Sequence, residues 1–190
     1  MQDYQLLDIS REFFSIALKN DALLKRVNNT GIFFMPEIAY VFECGLFISM
    51  NKSALLGNRD YQWVRERDFG YGPTDCLFLH EDKTKVSIAI EFKMDNGIDA
   101  YLKDIEKLRK LESPDHKFIK LFCSYKHLFV GQEEDYLKDM QDAFKDSVRL
   151  IKSDTFRTNN GNPNKDICLF TLWEVDSTKK YKPFLHPNFD

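Results

Sequence analysis

The chain holds 190 residues, 43% of them hydrophobic and 14% aromatic with 17 phenylalanines, which is material for one domain with a real core and excludes a disordered chain. A formal net charge of -3 excludes a protein that holds nucleic acid by bulk positive charge, so any such binding rests on a local gathering of its 27 Lys and Arg residues. No stretch approaches the roughly 18 continuous apolar residues of a membrane span, and the opening MQDYQLLDISREFF lacks the basic-then-apolar order of a signal peptide; a cytoplasmic protein without membrane contact is the expectation.

Residues 2–26 repeat apolar side chains at helical spacing (Leu6, Ile9, Phe13, Ile16, then Leu23 or Leu24), and Asn28-Asn29-Thr30-Gly31 stops the pattern. Pro36 suits the first turn of a second helix, which runs through PEIAYVFECGLFISMNK and ends near Gly57-Asn58. That helix is apolar nearly all round, so most of it is expected to be buried against a sheet. Glu37 in its first turn has two readings: a charge favoured by the helix dipole, or a member of a site.

From Tyr61 to Glu66 the period changes to two, as in a strand exposed on one side. Asp68 to Pro73 supplies a Gly-rich turn, Cys76 to His80 and Val86 to Lys93 read as strands joined by the charged turn Glu81 to Lys85, and Met94 to Gly97 breaks the pattern. Ile98, Tyr101, Leu102, Ile105, Leu108 and Leu111 form one helical stripe, with Lys103, Lys107 and Lys110 on another face, read as solvated or as a contact for phosphates. Strands are predicted at Phe118–Tyr125, Val148–Ser153 and Ile167–Val175, a helix at 132–145, a loop at Asn159–Asn164 and a surface tail beyond. Strands interleaved with helices predict an α/β protein whose sheet is covered on both faces. Residues 1–190 read as a single domain, with 1–31 as a possible helical addition.

Cys44, Cys76, Cys123 and Cys168 each lie in an apolar run with no CxxC pair, the pattern of buried free thiols. His116, His127 and His186 show no metal-ligand spacing, and His80 reads as a strand or turn residue.

The chemistry gathers between Gly70 and Lys93. Alternation along the second strand of the hairpin puts Ile88, Ile90 and Phe92 on one face, and Ser87, Ala89, Glu91 and Lys93 on the other, a face of small residues that leaves room beside two opposite charges. Burying such charges unpaired is costly, so they need each other, another partner or an ion. A hairpin turning at Glu81–Lys85 sets Asp75 opposite that strand end, where Asp75 and Glu91 bracket a divalent cation and Lys93 supplies a fixed positive charge. Magnesium suits such oxygen ligands, and manganese can substitute. Two other acidic-x-Lys triplets, Glu81-Asp82-Lys83 and Asp115-His116-Lys117, lack this setting. Arg65 and Arg67 lie near it and suit contacts to a nucleic-acid backbone.

Asp75, fifteen intervening residues and then Glu91-Phe92-Lys93 resemble the PD-(D/E)XK nuclease superfamily, which includes restriction endonucleases and junction resolvases. A helix with Glu37 before the hairpin, then a helix at 98–111 and a strand at 118–125, follow the family's order of elements. Thr74-Asp75 departs from its Pro-Asp pair, with Pro73 one position early. The resemblance implies a restriction-endonuclease-like mixed central β-sheet flanked by α-helices. It also implies metal ligands Asp75 and Glu91 with Glu37 as an auxiliary ligand, Lys93 as catalytic lysine, and Mg2+-dependent hydrolysis of phosphodiesters, with DNA favoured over RNA. A homodimer pairing two sites is left open. The alternatives are a module of the same fold that binds nucleic acid or protein without cutting, and an ion-paired hairpin in a scaffold.

Overall fold

The computed structural model describes residues 3–57, 60–159 and 166–176, with the side chain of Asp146 excepted. Helix α1 (Asp3–Asn28) leads through a short 3-10 turn at Ile32–Phe34 to α2 (Glu37–Met50) and α3 (Lys52–Leu55). The expected single helix thus breaks at Asn51, whose side-chain amide donates to the Phe47 carbonyl and caps α2.

Six strands form one mixed sheet: β1 (Tyr61–Val64), β4 (Cys76–His80), β5 (Val86–Met94), β6 (Lys117–Leu128), β8 (Ile167–Val175) and β7 (Val148–Arg157), in that spatial order. All neighbours are antiparallel except β5 and β6, which run parallel with α4 (Ile98–Lys110) connecting them, as a parallel pair requires a crossover. Between β1 and β4, β2 (Arg67–Asp68) and β3 (Pro73–Thr74) form a two-stranded ribbon. Its Gly-rich turn is held by Asp68 Oδ1, which accepts from the N–H groups of Gly70, Tyr71 and Gly72; Gly70 and Gly72 have φ of 98° and 95°, where a side chain is costly. Helix α5 (Glu133–Phe144) precedes β7.

The sheet divides the core in two. Ile88, Ile90 and Phe92 of β5, Cys123 and Tyr125 of β6 and Phe170 of β8 pack under α1 and α2. Ala89, Phe122 and Trp173 pack under α4 and α5. Leu6, Ile9, Phe13 and Ile16 of α1 belong to the first of these cores, so the helix read as an addition shares the sheet's core. The Tyr40 hydroxyl, fully buried, donates to the Phe13 carbonyl at 2.7 Å and lies against the Tyr125 hydroxyl, so these two buried hydroxyls are satisfied. Asp21 accepts from Ile32 N–H at 3.0 Å and from the Thr158 hydroxyl, tying α1 to the end of β7.

Several boundaries differ from the sequence reading. The first strand stops at Val64, because Glu66 takes a left-handed φ of 54° and turns the chain. Strands β6 and β7 each run past their expected ends, paired along β8. α2 is not buried all round: Ile38, Phe42, Leu46 and Met50 form an exposed stripe at i, i+4 spacing. All four cysteines are buried free thiols. Of the loop at 159–164 only Asn159 is described; Asn58, the tail beyond Asp176 and His186 lie outside the described residues. Among the described residues no helix is long and apolar enough to cross a membrane.

Candidate active site

Strand β5 outruns its neighbour. Its pairing with β4 ends at Cys76 opposite Ile90, yet β5 continues to Met94, leaving backbone N–H groups on that side without a strand partner. Two carboxylates take the place of the missing strand. Asp75 Oδ2 accepts from Phe92 N–H at 2.9 Å, and Glu37 Oε2 accepts from Met94 N–H at 2.8 Å. The helix-dipole reading of Glu37 is therefore incomplete, because its carboxylate reaches across to the end of the hairpin.

Continuing the β4–β5 register one step sets Asp75 level with Glu91, as the hairpin reading required. Glu91 is almost fully buried, 2% exposed, and Lys107 of α4 reaches its Oε2 at 2.7 Å while also donating to the Pro73 carbonyl at 2.8 Å. Its other oxygen, Oε1, is buried and receives no N–H or O–H donor, and the Asp75 carboxyl lies close enough to share a hydrogen bond with the Glu91 carboxyl when one of them is protonated. Lys93 turns to Asp104 of α4 at 3.1 Å. Two charges one turn apart on α4 thus engage two charges two apart on β5.

Burial pushes the Glu91 carboxyl up to about 9, helped by the negative charge of Asp75 and only partly opposed by Lys107. Burial likewise raises Asp75 and Glu37 above the usual carboxylate range, against the pull of the Phe92 and Met94 N–H groups. For Lys93 burial acts downward, but the charge and hydrogen bond of Asp104, then Glu37 and Asp75, outweigh it and raise the ammonium above its ordinary value. Lys93 stays charged.

All four sequence-predicted residues meet at this strand end: Glu37, Asp75, Glu91 and Lys93. The face of small residues is not open, however. Ala89 packs under Tyr101, Ile105 and Leu108 of α4, so room remains only beyond it, at the charged end. Lys107 is not part of a solvated row; it is drawn in to Glu91, while Lys103 and Lys110 remain exposed. Asp104 went unnoticed in the sequence, although opposite charges at i, i+3 beside the apolar stripe of α4 were the available signal. The two decoy triplets sit apart from the cluster and pair with each other on the surface, Lys83 Nζ to Asp115 Oδ1 at 2.9 Å. His80 is buried, with Nδ1 accepting from Asp82 N–H, a turn-holding role.

Whether these residues suit a divalent cation is decided by charge and by the orphan oxygen. Four carboxyl groups (Glu37, Asp75, Glu91, Asp104) face two ammonium groups (Lys93, Lys107), an excess of two negative charges when all are ionised. With no N–H or O–H donor on Glu91 Oε1, the donor set fits a hard cation of two positive charges. Among the described residues no three or more His, Cys, Asp or Glu side chains form a ready-made metal cage. A Mg2+ held by two carboxylates that keeps several waters requires none.

No family model matches the chain, and neither a curated protein nor a solved structure matches it.

Proposed function

We propose that the protein is a divalent-metal-dependent nuclease that hydrolyses phosphodiester bonds, with DNA favoured over RNA, built on a restriction-endonuclease-like form of its mixed α/β fold. The observation that carries this reading is the convergence of Asp75, Glu91, Lys93 and Glu37 at the end of β5, with two negative charges in excess when all are ionised and no N–H or O–H donor on Glu91 Oε1. The order α2, the β4–β5 hairpin, α4 and parallel β6 supports it as well.

Asp75 and Glu91 would hold the ion, with Glu37 as an auxiliary ligand. When bound, Mg2+ lowers the pKa of a water and offsets charge developing on phosphate. Lys93, raised and charged, is suited to stabilise negative charge on the phosphate or to donate a proton, and not to remove one. Asp104 orients that ammonium. Glu37 and Asp75, by gripping Met94 and Phe92 N–H, fix the strand end that presents Glu91 and Lys93.

Purified protein incubated with single-stranded DNA, duplex DNA and RNA, with Mg2+ or Mn2+ and with chelator, tests the reading. Metal-dependent cutting that falls at least a hundredfold in Asp75→Ala and Lys93→Ala, and falls clearly in Glu37→Gln, is expected. Activity that persists in Asp75→Ala and Lys93→Ala, or no cutting of any substrate, sinks it. One observation favours a binding-only module: Lys107 already occupies one oxygen of Glu91. That module retains nucleic acid in the same assay without cutting it.

A further inference from the structure

Between α2 and the turn that follows β1 lies a cavity of about 170 Å³, lined by Glu37, Ile38, Val41, Arg65, Glu66 and Asp75. At about 30 Å³ per water molecule it has room for about five or six waters, ample for one phosphate group. It opens on the same two carboxylates, Glu37 and Asp75, that cap β5, so whatever fills it lies beside the candidate metal ligands.

Arg65 is the cation in its wall, and its bonding is incomplete. The guanidinium lies over the Phe42 ring, 5.8 Å from its centroid, a cation–π contact that does not use its N–H donors. Nε is buried with no hydrogen-bond partner. The acidic contact recorded for it, to Glu66 Oε1, is 3.5 Å long, and Glu66 is 60% exposed, a pair that solvent weakens. Both lysines of the neighbouring cluster are engaged, Lys93 with Asp104 and Lys107 with Glu91. The turn is fixed by Glu66, which holds a left-handed φ of 54° immediately after Arg65.

We infer that this cavity is a phosphodiester subsite and that Arg65 is its anion-binding group, gripping a phosphate of the nucleic-acid strand beside the metal-binding carboxylates. The inference rests on the divalent-cation site of the nuclease reading, and not on cutting, since Glu37, Glu66 and Asp75 in the same wall repel an anion until a cation offsets them. A planar guanidinium matches two phosphate oxygens at once, which an ammonium does not.

Binding is measured apart from cutting. Fluorescence anisotropy of a labelled DNA strand in Ca2+, which binds carboxylates without supporting rapid hydrolysis, is recorded from about 50 to 200 mM salt for wild type, Arg65→Ala and Arg65→Lys, beside cleavage in Mg2+. Arg65→Ala is expected to weaken binding about tenfold and to reduce the log-log salt slope by about one. Arg65→Lys, with the charge but not the fork, is expected to restore the slope and only part of the affinity. Wild-type affinity and slope in Arg65→Ala, from an enzyme that cuts, overturns the subsite and leaves the nuclease reading standing. Arg65-dependent binding by a protein that cuts nothing with any metal supports the subsite and removes the nuclease reading. A wild type that neither binds nor cuts removes both. Should Arg65→Ala fail to fold, Arg65→Lys decides, and a lowered slope in that variant overturns the inference.

Discussion

Asp104 touches no residue of the original motif except Lys93, yet it sets what Lys93 can do. Its carboxylate at 3.1 Å both aims the ammonium and keeps it charged, in a place where burial alone would lower it. Partners that orient a reacting group from behind typically matter by about ten- to a hundredfold. Asp104→Asn keeps the shape and a hydrogen-bonding oxygen but removes the charge. We expect kcat at saturating Mg2+ to fall by about that factor with the melting temperature little changed, measured by single-turnover cleavage and circular dichroism. Unchanged kcat would reduce Asp104 to a surface ion-pair partner. The sequence made Lys93 conspicuous because it ends an apolar strand; it hid Asp104 and Lys107 because charges on a helix are ordinarily solvated, and only the α4 to β5 packing turns them inward.

At the scale of elements, the site depends on how closely α2 approaches the sheet. Gly45 faces Trp63 of β1, and a Cβ at that position would meet the indole at 2.3 Å. Helix and strand therefore touch through a missing side chain, and the N-terminus of the same helix delivers Glu37 to Met94. Gly45→Ala gains helix propensity but must push Trp63 or α2 aside, an overpacking cost of about 1–3 kcal/mol. The expected result is a lower urea midpoint at unchanged m-value, together with weaker cleavage, since moving α2 moves Glu37. A variant more stable than wild type would mean that Trp63 swings away freely. The same helix explains one misreading. Apolar residues all round suggest full burial, but α2 meets only one face of the sheet, so Ile38, Phe42, Leu46 and Met50 remain outside as a contiguous apolar row.

Over the whole molecule, the order of helices and strands was legible because apolar periodicity records which faces are buried, and the hairpin register followed from the position of its charged turn. Lengths were less legible. The extra residues of β6 and β7 are set by pairing along β8, a non-local cause that a window of sequence does not contain. The four motif residues were legible as types, and so was their excess of two negative charges, three carboxylates against one ammonium; what the sequence hid was their pairing with Asp104 and Lys107 of α4, which leaves that excess unchanged. That imbalance bears on the stability of the entire fold. Glu91 sits at an ordinary 4.5 in the unfolded chain and at about 9 in the metal-free native state, because burial and Asp75 disfavour its charge. Between those values the native state keeps a proton that the unfolded state has lost. Stability follows the excess of protons bound by the unfolded state, here negative, so it falls as pH rises from about 4.5 to about 9. Thermal melts in chelator across that range should show the decline, and Glu91→Gln, which cannot ionise, should flatten it. Mg2+ favours the ionised carboxylates and should oppose the loss, adding about 2.7 kcal/mol at a hundred times its Kd in wild type and far less in Asp75→Ala. A melting temperature indifferent to both Mg2+ and pH would mean that Lys107 alone neutralises Glu91, and that the cluster has no need of an ion.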